Sequence, residues 1–337
     1  MPNLEKKIIF NIGLLIAPVL CIILTLFVGR YDISFGDIFR VLLAGVGQGE
    51  RPSQEAMTVV WQLRLPRAVA GALVGAALAC SGTAFQGVFR NPLVSSGILG
   101  VSNGAGFGAC LAIVFFPGGY FIYGFAFLFG VLAVTLSYFA GRIYGTTPTV
   151  TLILGGVIVS SFFGALTSIL KYVADPYTQL PAIVFWFMGS LASIGYKHFA
   201  AFIPMLVGMG AIYLARWKIN VLSMGEKEAL ALGVNTKFYK ILIIGGATLA
   251  TASAVCISGV IGWVGLVIPH IGRMLVGNNN TKLVPVSMSL GACFLVLIDM
   301  LARVISNSEI PIGILTALIG TPFFVYLLKK TKGGGWT

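Results

Sequence analysis

Residues 64–103 read RLPRAVAGALVGAALACSGTAFQGVFRNPLVSSGILGVSN and decide the fold. An apolar run rich in alanine and glycine lies between two arginines, Arg64 and Arg67, and an Arg-Asn-Pro sequence at residues 90–92. A helix needs about 20 apolar residues to cross the hydrocarbon of a bilayer, and small residues let such helices approach closely. The stretch therefore predicts a membrane-spanning helix packed tightly against its neighbours.

A short copy of this stretch recurs late in the chain. A Ser-Gly pair at residues 81–82 precedes Pro92. A second Ser-Gly pair, at residues 258–259, precedes Pro269 with the same spacing. Many transporters are built from inverted repeats around a central path, so the copy predicts two related halves. Glycine supplies 43 of the 337 residues, so the alternative is a chance match.

The composition gives the class of protein. Hydrophobic residues make up 58% of the chain and charged residues only 9%. The alternating ten-residue strands of a membrane barrel are absent from the sequence. We expect a single all-α polytopic membrane domain of about ten transmembrane helices, in two inverted five-helix halves at residues 1–170 and 171–337. The predicted spans are 8–28, 66–89, 93–114, 119–140, 149–170, 199–215, 238–260, 261–276, 283–302 and 310–328.

The positions of the basic residues predict the orientation. Five lysines near the termini indicate that both termini lie in the cytoplasm, because basic residues that flank spans stay inside; they are Lys6, Lys7, Lys329, Lys330 and Lys332. The same rule then assigns most of the 22 Lys and Arg residues to the inner side. The net charge of +12 thus reflects membrane topology. The lipid bilayer is the expected partner, and nucleic acid is not.

Ionisable residues are scarce inside the predicted spans. Asp299 lies four residues before Arg303, which predicts an ion pair within one helix. Ion-coupled carriers keep functional acidic or histidine residues in their core, so the scarcity disfavours secondary transport, which is the alternative function. No phosphate-binding G-x-x-x-x-G-K-[ST] pattern is present, and paired carboxylates or Cys/His clusters are missing. We expect no catalytic residue, metal ligand or cofactor in this chain, and an energy source outside it.

Two segments depart from the pattern of simple spans. Residues 181–193 form an apolar run too short to cross the membrane, which is typical of a re-entrant or interfacial helix on the outer side. Residues 259–277 are rich in glycine and contain Pro269, which frees backbone groups that neighbours must satisfy. The second segment is either tightly packed helix or a bent element beside a translocation path, broken at the proline.

One inner loop, residues 216–240, has the pattern of a contact site. A short helix is predicted over residues 226–232, and Gly233 is suited to the left-handed position after its end. Exposed apolar residues often mark a partner surface. The segment is either a coupling helix that rests on a cytoplasmic ATPase or a surface helix that lies on its own bundle. Its apolar positions are Leu222, Met224, Ala229, Leu230 and Leu232.

Four runs together resemble the permeases of the iron-chelate and cobalamin importers, the FecCD family of ATP-binding-cassette (ABC) transporters. They are residues 61–106, which contain the opening stretch, GEKEALALGV at 225–234, SGVIGWVGLVIPHIGRMLVG at 258–277 and DMLARVISNSEIPIGILTALIGTPFFVYLLKK at 299–330. They follow the order of the family, and the similarity covers nearly all of residues 64–330. The combination is far more specific than any one run.

The resemblance implies an assembly in a bacterial or archaeal cell membrane. Family members are ten-helix permeases that work as homodimers or as paired homologues. Two cytoplasmic ATP-binding subunits, which hold ATP and Mg²⁺, drive alternating access. A periplasmic or lipid-anchored binding protein delivers the solute. The family carries iron siderophores, haem, cobalamin and, in one branch, molybdate or tungstate, and the chain is most similar to that last branch. Because the expected path carries no charge, selectivity is expected to lie with the binding protein.

The resemblance also implies roles for individual residues. Residues that match the docking site for the binding protein are Arg64, Arg67 and Arg303. Residues that match the cytoplasmic gate are Asn91, Leu93, Thr146 and Thr147. Residues that match the ATPase coupling segment are Gly225, Glu226, Ala229, Leu232, Gly233 and Val234.

Overall fold

The computed structural model describes residues 2–45, 52–116, 119–142, 147–306 and 308–330, and within these ranges the regular structure is helical. A π-helical turn spans Thr58–Arg64, and a 3₁₀ helix spans Tyr196–Ala201. The α-helices are α1 (Pro2–Phe27), α2 (Phe35–Gly45), α3 (Gln54–Met57), α4 (Leu65–Phe89), α5 (Val101–Phe115), α6 (Tyr120–Ala140), α7 (Thr149–Val173), α8 (Gln179–Met188), α9 (Phe202–Met224), α10 (Glu226–Ala231), α11 (Thr236–Ser258), α12 (Val264–Val276), α13 (Asn280–Val304) and α14 (Ile312–Lys330).

Each of the ten predicted spans corresponds to a helix, and the all-α prediction is confirmed. Among the described residues, seven helical stretches are long and apolar enough to cross a membrane, and α5, α8, α12 and α14 are shorter. The second span begins earlier than predicted, because α3 and the π-helical turn continue directly into α4. Arg64 is a misleading marker for the start of this span, because a charged residue is expected to lie outside the helix. Its guanidinium is buried and donates to backbone carbonyls, so the helix continues through it.

Helix α4 lies at the centre of the bundle, as its composition predicts. Most of its residues are buried, and it packs against α9, α11, α12 and α13. A Cβ atom on Gly75 would overlap the carbonyl oxygen of Gly291 in α13, and one on Gly82 would overlap that of Gly265 in α12. Small residues at these points let the backbones of the three helices touch.

The helical structure is interrupted between α11 and α12, at least five residues before Pro269, and not at the proline itself. Helix α11 ends at Ser258, Gly259 and Trp263 adopt positive φ angles of 68° and 69°, and α12 then continues through the proline. A proline leaves the carbonyl four residues earlier without its helical donor. Here that carbonyl belongs to Gly265, and the side chain Nε2 of Gln86 in α4 donates to it at 3.3 Å. The prediction of a break at Pro269 was therefore wrong.

The Ser-Gly echo does not mark equivalent local structures. Residues 81–82 lie inside α4, whereas Ser258 is the last residue of α11. The order of helices is a better guide to a repeat, since a long helix, a short helix and two further helices occur as α4–α7 and again as α11–α14. The packing between the two sets of helices is reciprocal. The first helix of one set, α4, contacts α12 and α13 of the other, and the first helix of the second set, α11, contacts α5 and α6 of the first.

Candidate functional site

Charged side chains gather at the two ends of the bundle, and the first cluster centres on Arg67. Its Nε lies 2.9 and 3.0 Å from the two carboxylate oxygens of Asp299 in α13. Its Nη1 donates to Oε1 of Glu309 at 3.0 Å. The Asp299 side chain is 2% exposed and that of Glu309 is 30% exposed. Arg67 therefore joins the start of α4 to the end of α13 and to the segment before α14.

Two further arginines lie in the same region. The Nε of Arg303 lies 3.4 Å from a carboxylate oxygen of Asp299, so the predicted pair within α13 is present. The Nη atoms of Arg64 donate to the carbonyls of Leu26 at 2.7 Å and Tyr31 at 2.6 Å. The structure thus brings together the three arginines that the sequence assigned to docking. All three are buried and hydrogen-bonded rather than free on the surface.

These arginines line one open cleft. Its volume is about 230 Å³, and Arg30, whose Nη2 donates to the carbonyl of Ser306 at 2.6 Å, lies in its wall. The remaining lining residues are Gly29, Tyr31, Val59, Leu63, Arg64, Arg67, Ala192, Ile194, Arg303 and Glu309. Among the described residues, the region contains four arginines and two carboxylates, those of Glu309 and Asp299, so its net charge is positive. The arrangement is suited to an anionic group, because charge-assisted hydrogen bonds from guanidinium groups are strong.

The opposite end holds the turn that follows α4. Arg90 adopts a left-handed φ of 51° and ends the helix, and the side chain of Asn91 accepts from the backbone N–H of Leu93 at 2.9 Å. Leu93 is 53% exposed. Beside the turn, Gln86 accepts from Nη2 of Arg273 in α12 at 2.5 Å. Asn91 therefore fixes a tight turn that presents the predicted gate residue Leu93 outward.

The second predicted gate pair lies before α7. Thr146 is outside the described residues, whereas Thr147 is buried and lies two residues before the helix begins. Its backbone carbonyl accepts a hydrogen bond from Nζ of Lys240 at 3.2 Å. The backbone position of Thr147 is thus tied to α11.

The predicted coupling segment has one buried and one exposed face. Gly225, with φ 142°, separates α9 from α10, and Gly233, with φ 72°, follows the end of α10 as predicted. Ala229 and Val234 are buried and anchor the segment on the bundle. The leucines on the outer side are exposed, Leu232 by 60%. The apolar positions named from the sequence therefore fall into two groups. Leu222 and Ala229 are buried against the bundle, whereas Met224, Leu230 and Leu232 are exposed.

Sequence reasoning missed Lys240 as a site residue. It lies in the first turns of α11, is 4% exposed, and forms an ion pair with Glu226, the first residue of α10. The same ammonium group bonds to Thr147. The sequence does show a lysine within the apolar run 238–260. Without its partners, that lysine looks like an ordinary basic residue at the cytoplasmic end of a span.

Comparisons with known proteins agree with this architecture. The model of the FecCD transport family matches residues 15–330. The molybdate import system permease protein of Haemophilus influenzae is 43% identical over 99% of this chain and 98% of its own length. The cobalamin import system permease protein of Halobacterium salinarum is 42% identical over 83% and 75% of the two chains.

Solved structures give the same result. A putative metal-chelate type ABC transporter in an inward-facing conformation superposes with a TM-score of 0.83. It is 40% identical and covers 95% of this chain and 99% of its own. Among the sequence relatives, a probable iron chelatin transport system permease protein of Helicobacter pylori is also 40% identical, and the match covers 82% of this chain and 83% of that protein.

Proposed function

The chain belongs to the FecCD transport family, and from that premise we propose how it works as the transmembrane permease subunit of an ABC importer. Its relatives are permeases of import systems for molybdate, iron chelates, cobalamin and haem. The alternative of an ion-coupled carrier finds no support among them. Transport, rather than catalysis, is the task of this chain.

We propose that the solute is molybdate or tungstate, delivered by a binding protein. The observation that carries this proposal is the 43% identity to the Haemophilus molybdate permease over 99% of the chain. Calorimetric titration of the binding protein of this permease with molybdate, tungstate, haemin and a ferric siderophore tests it. Binding of an oxyanion is expected. Binding of a chelate without any oxyanion response would overturn the choice of solute and leave the importer function intact.

The binding protein is proposed to dock on the arginine cleft. Arg64, Arg67 and Arg303 are already hydrogen-bonded, but Glu309 is the most exposed of the carboxylates that hold them. An acidic side chain of the binding protein can replace Glu309 at Arg67 without disturbing the buried Asp299. Complementary charges of this kind mainly fix the orientation and the rate of docking.

The rest of the assembly follows from the proposed topology. The arginine cleft faces outward, both termini and α10 face the cytoplasm, and residues 1–170 and 171–337 are inverted halves. A second copy of the chain completes the path, and two ATP-binding subunits contact α10. Helix α4 packs on α12 and α13 of the second half, and α11 packs on α5 and α6 of the first, and this reciprocal packing supports the inverted halves. The exposed leucines of α10 support the ATPase contact.

The ATPase contact is tested by charge at its apolar surface. Leu230→Glu is expected to abolish co-purification of the ATPase subunits and ATP-driven uptake into proteoliposomes, because a carboxylate replaces an exposed apolar contact. Lys227→Glu on the same short helix is the matched control, since it makes a larger change of charge at another exposed residue. Both variants should keep the thermal unfolding midpoint of the permease. Normal ATPase binding by Leu230→Glu would contradict the proposed contact.

A further inference from the structure

We propose that Lys240 is the residue that transmits movement of α10 to the cytoplasmic gate. This inference rests on the proposed coupling role of α10 and names a residue through which it acts. The Lys240 ammonium group contacts both Glu226, which begins α10, and the carbonyl of Thr147, which precedes α7. One buried cation therefore joins the ATPase contact to the gate.

The three joined elements are otherwise separate in the chain. Glu226 lies 14 positions from Lys240, and Thr147 lies 93 positions from it. Helix α11 is long and packs against α4, α6 and α9, so Lys240 has a fixed base. Helix α10 is a single short helix between two glycines with positive φ, Gly225 and Gly233. A short helix bounded in this way can tilt when a partner presses on its exposed leucines.

The energetics of a buried ammonium group make this contact consequential. A charged group removed from water is stable only when it is paired and hydrogen-bonded. Lys240 is 4% exposed, so it needs Glu226 and Thr147 together. The Glu226 side chain is 51% exposed, so it is the member of the pair that has room to move. When α10 moves, Lys240 follows the carboxylate and, through its bond to the Thr147 carbonyl, moves the start of α7 with it.

The start of α10 also lies close to the other gate turn. A Cβ atom on Gly225 would lie 3.6 Å from a guanidinium nitrogen of Arg90, which directly precedes Asn91. The start of α10 therefore lies beside both predicted gate turns. The ionic link through Lys240 is the one that bonds to the gate backbone.

Transport per ATP hydrolysed is the quantity that tests the role of Lys240. The permease is purified with its ATPase subunits, reconstituted in liposomes and supplied with the binding protein and radiolabelled molybdate. Lys240→Met keeps the length and the packing of the side chain and removes the charge. We expect the ratio of uptake to hydrolysis to fall at least about fivefold, the lower end of typical coupling between two sites. Lys240→Arg keeps the donors and is expected to restore most of the ratio.

Two controls separate transmission from general stability. Lys237→Met changes an exposed lysine of the same helix and should leave the ratio at its original value. Nitroxide labels at residues 227 and 150 report the distance between α10 and the start of α7 by pulsed electron resonance. In the unmutated complex this distance should stay constant between the nucleotide-free and the ATP-bound states, because the two elements move together. In Lys240→Met it should change.

Each outcome has a definite meaning. A normal ratio in Lys240→Met, with a constant label distance, overturns the role of Lys240. An unmutated complex that hydrolyses ATP without molybdate uptake, although its binding protein binds molybdate, overturns the proposed function instead. If Lys240→Met does not fold, Glu226→Gln removes the other half of the pair and must give the same loss of ratio for the inference to stand.

Discussion

The two ends of the bundle both bury a cation, yet they do so in different ways. At the arginine cleft, the guanidinium of Arg67 is held by Asp299, whose side chain is 2% exposed, between two long packed helices. At the other end, Lys240 is held by Glu226, whose side chain is 51% exposed, on a short helix. A fully buried pair fixes one arrangement, whereas a half-exposed acid can move with its short helix while it stays paired with the lysine. The comparison assigns stability to the first cluster and transmission to the second.

The largest effect is expected from Asp299→Asn. This change leaves Arg67 with Glu309 alone and Arg303 without its carboxylate, and removing one partner of a buried ion pair costs about 3–5 kcal/mol. Unfolding by denaturing detergent, followed by circular dichroism, should show this loss.

The control for that experiment is Asp37→Asn. Asp37 pairs with Arg40 at 3.4 Å on an exposed face of α2, and exposed pairs contribute about 0–1 kcal/mol. A comparable loss of stability in both variants would remove the distinction between a stabilising cluster and ordinary surface pairs.

A smaller loss of stability is expected from Glu226→Gln. The free energy of unfolding should fall by less than in Asp299→Asn, since water reaches this pair through the half-exposed Glu226 although Lys240 itself is buried. Uptake per ATP should nevertheless fall at least about fivefold. Glu228→Gln, an exposed change in the same helix, should alter neither quantity. A stability loss as large as that of Asp299→Asn would show that the two ends do not differ in kind.

The smallest effect is expected from Glu309→Gln. It frees one edge of Arg67 for a carboxylate of the binding protein, so the docking affinity should rise by up to about threefold, which corresponds to about 0.7 kcal/mol. The gain should shrink in high salt because salt screens exposed charges. Glu55→Gln, also exposed and on the same side in the proposed topology, is the control for net charge. A fall in affinity would mean that the binding protein contacts Glu309 itself, and the docking scheme would be wrong.

The sequence was sufficient for features that depend on local pattern. Apolar runs located the ten spans, the Asp299–Arg303 spacing gave the pair within α13, and Gly233 marked the end of α10. Each of these is set by residues a few positions apart. The division of the coupling segment into buried and exposed residues was not predicted, because a helix of six residues is too short for a hydrophobic periodicity to show which face is buried.

Long-range pairings were out of reach for a physical reason. Arg67 lies 232 positions from Asp299, and its two bonds to that carboxylate are shorter than the 3.4 Å contact of Arg303. Only the packing of α4 on α13 reveals which arginine is the main partner. The freed carbonyl before Pro269 likewise finds Gln86 through tertiary packing. In both cases the sequence supplied the polar group, and the fold supplied its partner.

The glycine contacts of α4 have a practical consequence for measuring motion in this transporter. Gly82 against Gly265 and Gly75 against Gly291 leave no space for a side chain, so the backbones are in direct contact at both points. We expect helices α4, α12 and α13 to change position together during the transport cycle. Probes on exposed residues of α12 and α13 would form an internal ruler of fixed length, against which displacements of α7 and α10 can be calibrated.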